Sequence, residues 1–325
     1  MHTRRLWLFL GSSLAMLLAT SNVALSSWSS PSEIASFTDD LLPEASGIAQ
    51  SSIDRDHVYL VNDGDRSSFV ILDLKTSNAK TVILSGISSI DSEEIAVGDC
   101  PDTGTCIYIA DIGDNKAARS SVKIYVVREQ TNFGTSVTPT FVLTLTYPDD
   151  KGHNAEGFAI HPNGSAYLLT KEVPAQLFRL DLKNAHLTPS ANLEFLGRLD
   201  LNALLKPMSA TKKSRPNGKE KGKGKAKGLL PTGIAINPNG QEFAIVTKAA
   251  GVTIGLNLGD LTPDAGATVN QEIESRGSQI SHIPLASLPQ IEAISYTEGG
   301  DALIYTSEIV DPQAPPMPVM KVQRN

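Results

Sequence analysis

The sequence has little cysteine and few histidines, and its acidic residues outnumber its basic ones. The two cysteines, Cys100 and Cys106, are separated by five residues, which differs from the CxxC spacing of redox and zinc sites. The six histidines show no paired metal spacing, so zinc is not expected. With 28 Lys and Arg against 35 Asp and Glu, the net charge is -7. This bulk charge does not predict a nucleic-acid-binding domain.

Several catalytic signatures are also missing. The chain has no GxSxG nucleophile elbow, no HExxH motif and no GxGxxG dinucleotide motif, which argues against serine hydrolase and nicotinamide chemistry. We therefore expect no nucleotide and no haem. The one long apolar run, at 6–19, is shorter than the roughly 20 residues that a membrane-spanning helix needs. An integral membrane span is not expected.

The start of the chain predicts export. Arg4 and Arg5 precede the apolar run, and Ala24 and Ser26 fit an A-x-A-like cleavage rule. Residues 1–27 are therefore interpreted as a signal peptide, with the Sec and twin-arginine routes both open, and 28–325 as one domain that is periplasmic or extracellular. In such a compartment thiols oxidise, so a local disulfide between Cys100 and Cys106 is the expected pairing.

One segment differs in composition from the rest of the chain. Residues 211–228 hold eight basic residues and one acid, which leaves 20 basic against 34 acidic residues elsewhere. A glycine- and lysine-rich stretch of this kind predicts a disordered, solvated insertion. The alternative is a docking segment for an anionic polymer, and this segment is the one place where nucleic acid remains a possible partner.

A repeat organises the chain after residue 40. Its five copies are EASGIAQ at 44–50, SEEIAVG at 92–98, NAEGFAI at 154–160, LPTGIAI at 230–236 and QIEAISY at 290–296. Each copy is followed by a turn and by further strand-like runs, which is a hairpin pattern. Self-similar four-stranded units at this spacing predict an all-β fold, a β-propeller of five blades with six as the alternative. We expect a monomer.

The last repeat ends after three strands, and this predicts how the ring closes. The outer strand of that blade is expected from the N-terminal stretch at 33–37, which would remove a long free sheet edge. In a propeller the first strand of each blade lines the central channel. The equivalent residues of the five repeats should therefore converge near the axis: Ser46, Glu93, Glu156, Thr232 and Glu292.

Three of these five residues are carboxylates, and further ionic side chains follow the second strands. These candidates are Asn62, Asp63, Asp111, Asp114, Asn115, Lys171, Glu172, Lys248 and Glu308. Hard oxygen ligands suit Ca²⁺ or Mg²⁺, and we predict metal ligands at Glu93, Glu156, Glu292, Asp111 and Asp114. Two alternatives remain open: polar pairs that only join the blades, and a metal-free site for a small-molecule ligand.

The remaining candidates are assigned by chemical type. Glu156 can act as a general base, while Lys171 and Lys248 can hold an anionic substrate. Asp63, Asn115 and Arg119 are the candidate ligand-binding residues. The DIGDN motif at 111–115 suits a tight turn whose side chains either cap their own backbone or coordinate calcium.

The motifs EASGIA, VNDGD, DSEEIAVG, YIADIGDN with Arg119, and NAEGFAI resemble those of a family of exported bacterial propellers, most of which have no assigned function. The resemblance covers roughly residues 43–175. The residues on the family's motif positions are Asp91, Glu93, Asp111, Asp114, Asn115, Arg119, Glu156 and Lys171. This chain departs from the pattern at Ser92, where tryptophan is usual, and at Asp65, where another small residue is usual.

A more distant similarity is to the phytase-like and gluconolactonase-like propellers. Those proteins hold calcium or another divalent ion with channel carboxylates and hydrolyse phosphate esters or lactones. The resemblance implies a divalent-metal-dependent hydrolase in which the metal polarises the substrate oxygen. The alternative hypothesis is a noncatalytic binding propeller of the cell envelope, with a structural ion or none.

Overall fold

The computed structural model describes residues 28–38, 40–185, 187–209, 229–263, 266, 268–311 and 316–325. These residues form five antiparallel sheets of four strands, two of which carry a fifth, parallel strand. The sheets follow one another along the chain as the blades of a five-bladed β-propeller. The predicted fold class and blade number are confirmed.

Blades 1 and 2 follow the order of the sequence from the channel outwards. Blade 1 contains β2 (Ala45–Gln50), β3 (His57–Asn62), β4 (Ser68–Asp73) and β5 (Ala79–Leu84). Blade 2 contains β6 (Ser92–Asp99), β7 (Thr105–Asp111), β8 (Val122–Arg128) and β10 (Phe141–Thr146). The short strand β9 (Ser136–Val137) covers the outer edge of blade 1 by pairing in parallel with β5.

Blades 3 and 4 repeat this order. Blade 3 contains β11 (Ala155–His161), β12 (Ser165–Thr170), β13 (Ala175–Asp181) and β15 (Glu194–Leu199), and β14 (Ser190–Asn192) covers the edge of blade 2. Blade 4 contains β16 (Gly233–Ile236), β17 (Phe243–Thr247), β18 (Ala250–Ile254) and β19 (Ile280–His282).

Blade 5 closes the ring with the two ends of the chain. It contains β20 (Ile291–Tyr296), β21 (Ala302–Ser307), β22 (Met317–Gln323) and, outermost, the N-terminal strand β1 (Ser32–Phe37), which is antiparallel to β22. A further bridge joins Trp28 to Arg324. The predicted closure by residues 33–37 is confirmed, and it pairs an edge that would otherwise be free.

The hydrophobic core is divided among the five interfaces between neighbouring blades. One cluster of buried side chains lies between each pair, including blades 5 and 1, where Phe37, Ile48 and Val319 pack together. Both faces of the inner strands are therefore covered. This explains why second strands such as Val58–Val61 are apolar at successive positions instead of alternating with polar residues.

Two short helices interrupt the β-structure of the described residues, whereas the sequence pattern gave no helical period. Helix α1 (Leu201–Ser209) lies between blades 3 and 4, and α2 (Val269–Ser275) lies between the third and fourth strands of blade 4. A capping box of Thr268 and Gln271 begins α2, whose Val269 and Ile273 pack into the core. A 3₁₀ turn covers Leu258–Asp260.

The disulfide between Cys100 and Cys106 is present, as predicted. It closes the enlarged hairpin turn between β6 and β7, on the face of the ring where the first strands end. The predicted signal peptide at 1–27 and the lysine-rich insertion at 211–228 lie outside the described residues. Among the described residues, no helix combines the length and the apolar character needed to cross a membrane.

Candidate functional site

The five equivalent repeat residues occupy an irregular position at the start of each first strand. In four blades the pairing register shifts there, around Ser46, Glu93, Glu156 and Glu292. Two residues of the first strand therefore lie opposite one residue of the second strand. In blade 4, Thr232 donates its N–H to the Val246 carbonyl while Gly233 also pairs with Val246. A β-bulge turns a side chain away from the direction that regular strand alternation would give it. All five side chains are buried.

The ends of the second strands lie on the same face of the ring, so two sets of ionic residues meet there. We call this site the acidic mouth. It consists of six carboxylates and two amines: Asp63, Asp91, Glu93, Glu156, Glu292, Glu308, Lys171 and Lys248. With six acids against two lysines, four negative charges would stay uncompensated if every group were ionised.

Three carboxylates form the tightest group in the acidic mouth. Asp63, Asp91 and Glu93 each place one oxygen within 4.8 Å of the other two. Asp63 and Asp91 are half-buried, whereas Glu93 has no exposed surface. The Oε2 atom of Glu93 accepts a hydrogen bond of 3.2 Å from Ser46, but its buried Oε1 atom has no hydrogen-bond partner among the described residues. An unsatisfied carboxylate oxygen at such a depth is costly.

Gly113, in the DIGDN motif, allows the carboxyl groups of Asp91 and Glu93 to lie close to the backbone of the turn. A Cβ atom at position 113 would lie 2.3 Å from Oε1 of Glu93 and 2.6 Å from the Asp91 carboxyl group. Any other residue would displace one of the two acids. The Gly113 N–H also donates to the Asp91 carbonyl at 3.0 Å, which ties the DIGDN turn to the loop before β6.

Asp111 and Arg119 form a buried ion pair behind the three carboxylates. Nη1 of Arg119 lies 2.8 Å from Oδ1 of Asp111 and also donates to the Gly113 carbonyl. Asp111 accepts further hydrogen bonds from the N–H of Asp91 at 3.0 Å and from the Tyr125 hydroxyl at 3.1 Å. The carboxylate oxygens of Asp111 therefore already have several hydrogen-bond donors. Through these bonds Asp111 holds the Asp91 backbone and Arg119 in place.

The rest of the DIGDN motif caps its own turn. Asp114 accepts hydrogen bonds from the N–H groups of Ala118 and Arg119, at 3.0 and 2.7 Å. Asn115 is exposed and accepts a hydrogen bond from the side chain of Asn154 at 3.3 Å. The same Asn154 amide donates to Glu156 at 3.1 Å, so Asn115 contacts the acidic mouth through one intermediate side chain.

The two lysines lie among the carboxylates on the other side of the acidic mouth. Nζ of Lys171 is 2.9 Å from Glu156 and 3.9 Å from Glu292. Nζ of Lys248 is 2.9 Å from the same Oε1 atom of Glu292. Lys171 is mostly buried, whereas the Lys248 side chain is about half exposed. Both amines are thus engaged by carboxylates, as one of the sequence interpretations allowed.

Burial and like charge raise the pKa of several of these acids. Burial, followed by the charges of Asp91 and Glu156, raises the pKa of Asp63 to about 7. Burial, followed by the hydrogen bond and charge of Glu292, raises the pKa of Glu308 to about 8. Burial is also the first cause that raises the pKa of Glu93, well above its ordinary value. The acidic mouth therefore holds protons at neutral pH in the absence of a cation.

The structure brings most of the predicted site residues together. Glu93, Glu156, Glu292, Asp63, Lys171 and Lys248 all lie in the acidic mouth, with Arg119, Asp111 and Asp114 directly behind it. Sequence reasoning assigned no site role to Asp91 beyond a motif position, and it named Glu308 at the end of a second strand without giving it a role. The signal for Asp91 was its place two residues before an axial glutamate.

The fold and the site define a class: a five-bladed β-propeller whose channel opens on one face in a cluster of carboxylates. No protein-family model matches the chain, and no curated protein matches it. Among solved structures, a luciferin-regenerating enzyme is 12% identical with a TM-score of 0.42, covering 90% of this chain and 95% of its own. An auxiliary nutrient binding protein from Bacteroides thetaiotaomicron is 13% identical with a TM-score of 0.45, covering 90% and 72%. Likenesses at this level carry no argument about function.

Proposed function

We propose that the acidic mouth binds one divalent cation between Asp63, Asp91 and Glu93. The observation that carries this proposal is the buried Oε1 atom of Glu93, which has no hydrogen-bond partner in the part of the chain that the structure describes and belongs to the three-carboxylate group. A cation would supply the missing partner and would offset the excess negative charge. The disulfide supports a further part of the proposal, that the protein is exported to an oxidising compartment.

Calcium fits this group of oxygens best. Ca²⁺ binds oxygen at about 2.3–2.6 Å, so two of its ligands can be up to about 5 Å apart, and the three carboxylates satisfy that limit. Mg²⁺ needs shorter bonds and a stricter octahedral geometry, which makes it the second choice. A site with three protein carboxylates leaves coordination positions for water or for a substrate oxygen. We expect an affinity typical of extracellular calcium modules, with a Kd of about 10⁻⁴ M.

The residues beside this group support a hydrolase of phosphoester or lactone substrates. A bound Ca²⁺ would supply Lewis-acid polarisation of the substrate oxygen. Burial raises the pKa of Glu156, while Lys171 opposes that effect, and a carboxyl group with a raised pKa is suited to accept a proton from water. Lys171 and Lys248 would hold an anionic substrate group at the edge of the site.

A test of hydrolysis uses p-nitrophenyl phosphate and a simple lactone with the mature protein in Ca²⁺. We expect Glu156→Gln to abolish turnover because the amide cannot accept a proton, while the protein still folds and binds calcium. The matched control is Glu172→Gln, because Glu172 contacts His153 and Gln176 and has no place in the acidic mouth. Absence of turnover by the wild type with Ca²⁺, Mg²⁺ and Mn²⁺ contradicts the hydrolase proposal.

One observation favours the alternative, a noncatalytic binding propeller. Lys171 and Lys248 are both paired with glutamates, so neither amine is free to bind an anion without giving up a carboxylate. In this case the ion is structural: the wild type shows no turnover, while Glu93→Gln, which removes a ligand, lowers thermal stability in calcium. The two hypotheses thus differ in whether the wild type hydrolyses the test substrates.

The raised pKa values predict a pH-dependent effect of calcium on stability. Asp63 and Glu308 keep protons up to about pH 7 and about pH 8 in the folded protein, whereas their ordinary values are 3.8 and 4.5. In chelator, stability should therefore fall as the pH rises from about 4 to about 8, because the folded state binds more protons than the unfolded state. Calcium must displace the proton of Asp63, so the rise in Tm that it causes should be larger at pH 8.5 than at pH 5.

Thermal unfolding at the two pH values, in chelator and in saturating calcium, checks this prediction. Tris and acetate buffers of matched ionic strength separate the specific ion from general screening. An equal calcium-dependent rise in Tm at both pH values would show that the acidic mouth does not release protons to the ion.

A further inference from the structure

A cavity lies at the opposite end of the channel from the acidic mouth. Its volume is about 290 Å³, at the lower end of the range for small-molecule pockets, and residues of all five first strands line it. The turns that join the first and second strands surround its opening. None of the eight residues of the acidic mouth lines this cavity, which we call the apolar pocket.

The walls of the apolar pocket follow from the same sequence repeat. Two positions after each axial residue, the repeat has a bulky apolar side chain: Ile48, Ile95, Phe158, Ile234 and Ile294. The next position is small in every blade: Ala49, Ala96, Ala159, Ala235 and Ser295. All of these except the partly buried Ser295 are buried, so the walls are apolar and the small side chains leave room between the strands.

The charged residues that line the apolar pocket are all acidic. They are Asp99 and Glu298, and the described residues of the lining include no lysine or arginine. Glu298 is already paired with Arg55. Asp99 is exposed at the edge of the disulfide loop, and the described residues give its carboxylate no hydrogen bond or ion pair; only its backbone carbonyl accepts a bond, from the Tyr108 hydroxyl.

The histidine in the lining does not add a positive charge. Nε2 of His161 lies 3.0 Å from the side-chain oxygen of Asn257 and 3.1 Å from the Gly240 carbonyl, so it is the donor nitrogen. Its Nδ1 atom accepts a hydrogen bond from the Asn163 N–H at 3.1 Å. One nitrogen donates and the other accepts, which is the bonding of a neutral imidazole.

We propose that the apolar pocket binds a small organic cation, an amine whose hydrocarbon body fills the cavity and whose ammonium group lies beside Asp99. The apolar walls favour the body, and a described lining whose charged residues are Asp99 and Glu298 favours a positive charge over a neutral or negative one. This site is independent of the proposed cation site, because it uses different residues at the other end of the channel.

The test compares three compounds with one naphthalene body: 2-(aminomethyl)naphthalene, 2-naphthalenemethanol and 2-naphthoate. Calorimetry on the mature protein in saturating Ca²⁺ should give saturable binding in the order amine, alcohol, acid. A charge contact at the pocket edge should favour the amine over the alcohol about fivefold. Asp99→Asn should make the amine and the alcohol bind equally.

Two further variants locate the binding. Val97→Trp, at a half-buried position in the lining, should abolish binding of all three compounds, whereas Ile83→Trp on the exposed outer strand of blade 1 should not. Glu93→Gln should leave the amine preference unchanged. The proposal is wrong if no compound binds saturably, if the acid binds as well as the amine, or if Glu93→Gln rather than Asp99→Asn removes the preference.

Discussion

Replacing Glu93 with glutamine should abolish the effect of calcium on stability. For the wild type, calcium at 100 times its Kd adds about 2.7 kcal/mol to the free energy of unfolding, which should raise Tm by about 5 °C. In the variant this rise should fall below about 1 °C. Glu93 supplies the most buried of the three carboxylates, and a neutral amide oxygen is a much weaker ligand for a divalent ion.

The same variant should be at least as stable as the wild type in chelator at pH 8. Without a cation, Glu93 is a buried carboxyl group whose pKa is raised first by burial and then by neighbouring acids, so its ionisation destabilises the fold. Glutamine keeps the shape without the charge. Relative to the wild type, Glu93→Gln should therefore be no less stable in chelator but less stable in calcium. A general loss of packing would lower the stability in both conditions.

Glu94→Gln is the matched control for this experiment. Glu94 is the next residue and is equally buried, but its carboxyl group lies against Gly47, where Oε1 accepts a hydrogen bond from the Ile95 N–H. The substitution should change Tm by a similar amount in chelator and in calcium. If Glu93→Gln and Glu94→Gln give the same response to calcium, the ion does not bind at Glu93.

The second large effect is expected from Arg119→Ala, which should lower the free energy of unfolding by about 3 kcal/mol. Its partner Asp111 has no exposed surface, so removal of the guanidinium leaves a buried carboxylate without its only cationic partner among the described residues. Asp111 also holds the Asp91 N–H, and its movement would displace one of the three carboxylates. Calcium affinity should therefore fall together with stability.

Arg128→Ala provides the comparison for a charge pair of the same type at the surface. Arg128 lies 2.7 Å from Asp102, but both side chains are more than one-third exposed, so the loss should be much smaller than that of Arg119→Ala. Chemical denaturation of the two variants, with calcium titrations on each, gives both quantities. Equal losses of stability for Arg119→Ala and Arg128→Ala would contradict the role of the buried Asp111–Arg119 pair in stabilising the fold behind the three carboxylates.

The repeat carried most of the information about the fold. Its period predicted five blades, the three-stranded last copy predicted closure by residues 33–37, and the axial positions predicted which side chains meet at the channel. The two helices were missed because each is less than three turns long, and short helices depend on tertiary packing more than on local pattern. The capping box at Thr268 was the one local signal for α2.

The site was predicted less completely than the fold. A repeat shows which residues are equivalent, but it does not show which oxygens already have partners. Asp111 is the example: its motif fits a calcium ligand, whereas the structure surrounds its oxygens with the N–H of Asp91, the Tyr125 hydroxyl and Arg119. The apolar pocket was missed because its walls have the same composition as ordinary core.

Calorimetric titration of residues 28–325 with Ca²⁺ at pH 8, after removal of bound ions by chelator, tests the central claim most directly. We predict saturable binding with one ion per chain and a Kd of about 10⁻⁴ M, lost in Glu93→Gln and retained in Glu94→Gln. Absence of saturable binding for Ca²⁺, and then for Mg²⁺ and Mn²⁺, would contradict the account. The acids of the channel would then be neutralised by protons and by Lys171 and Lys248 alone.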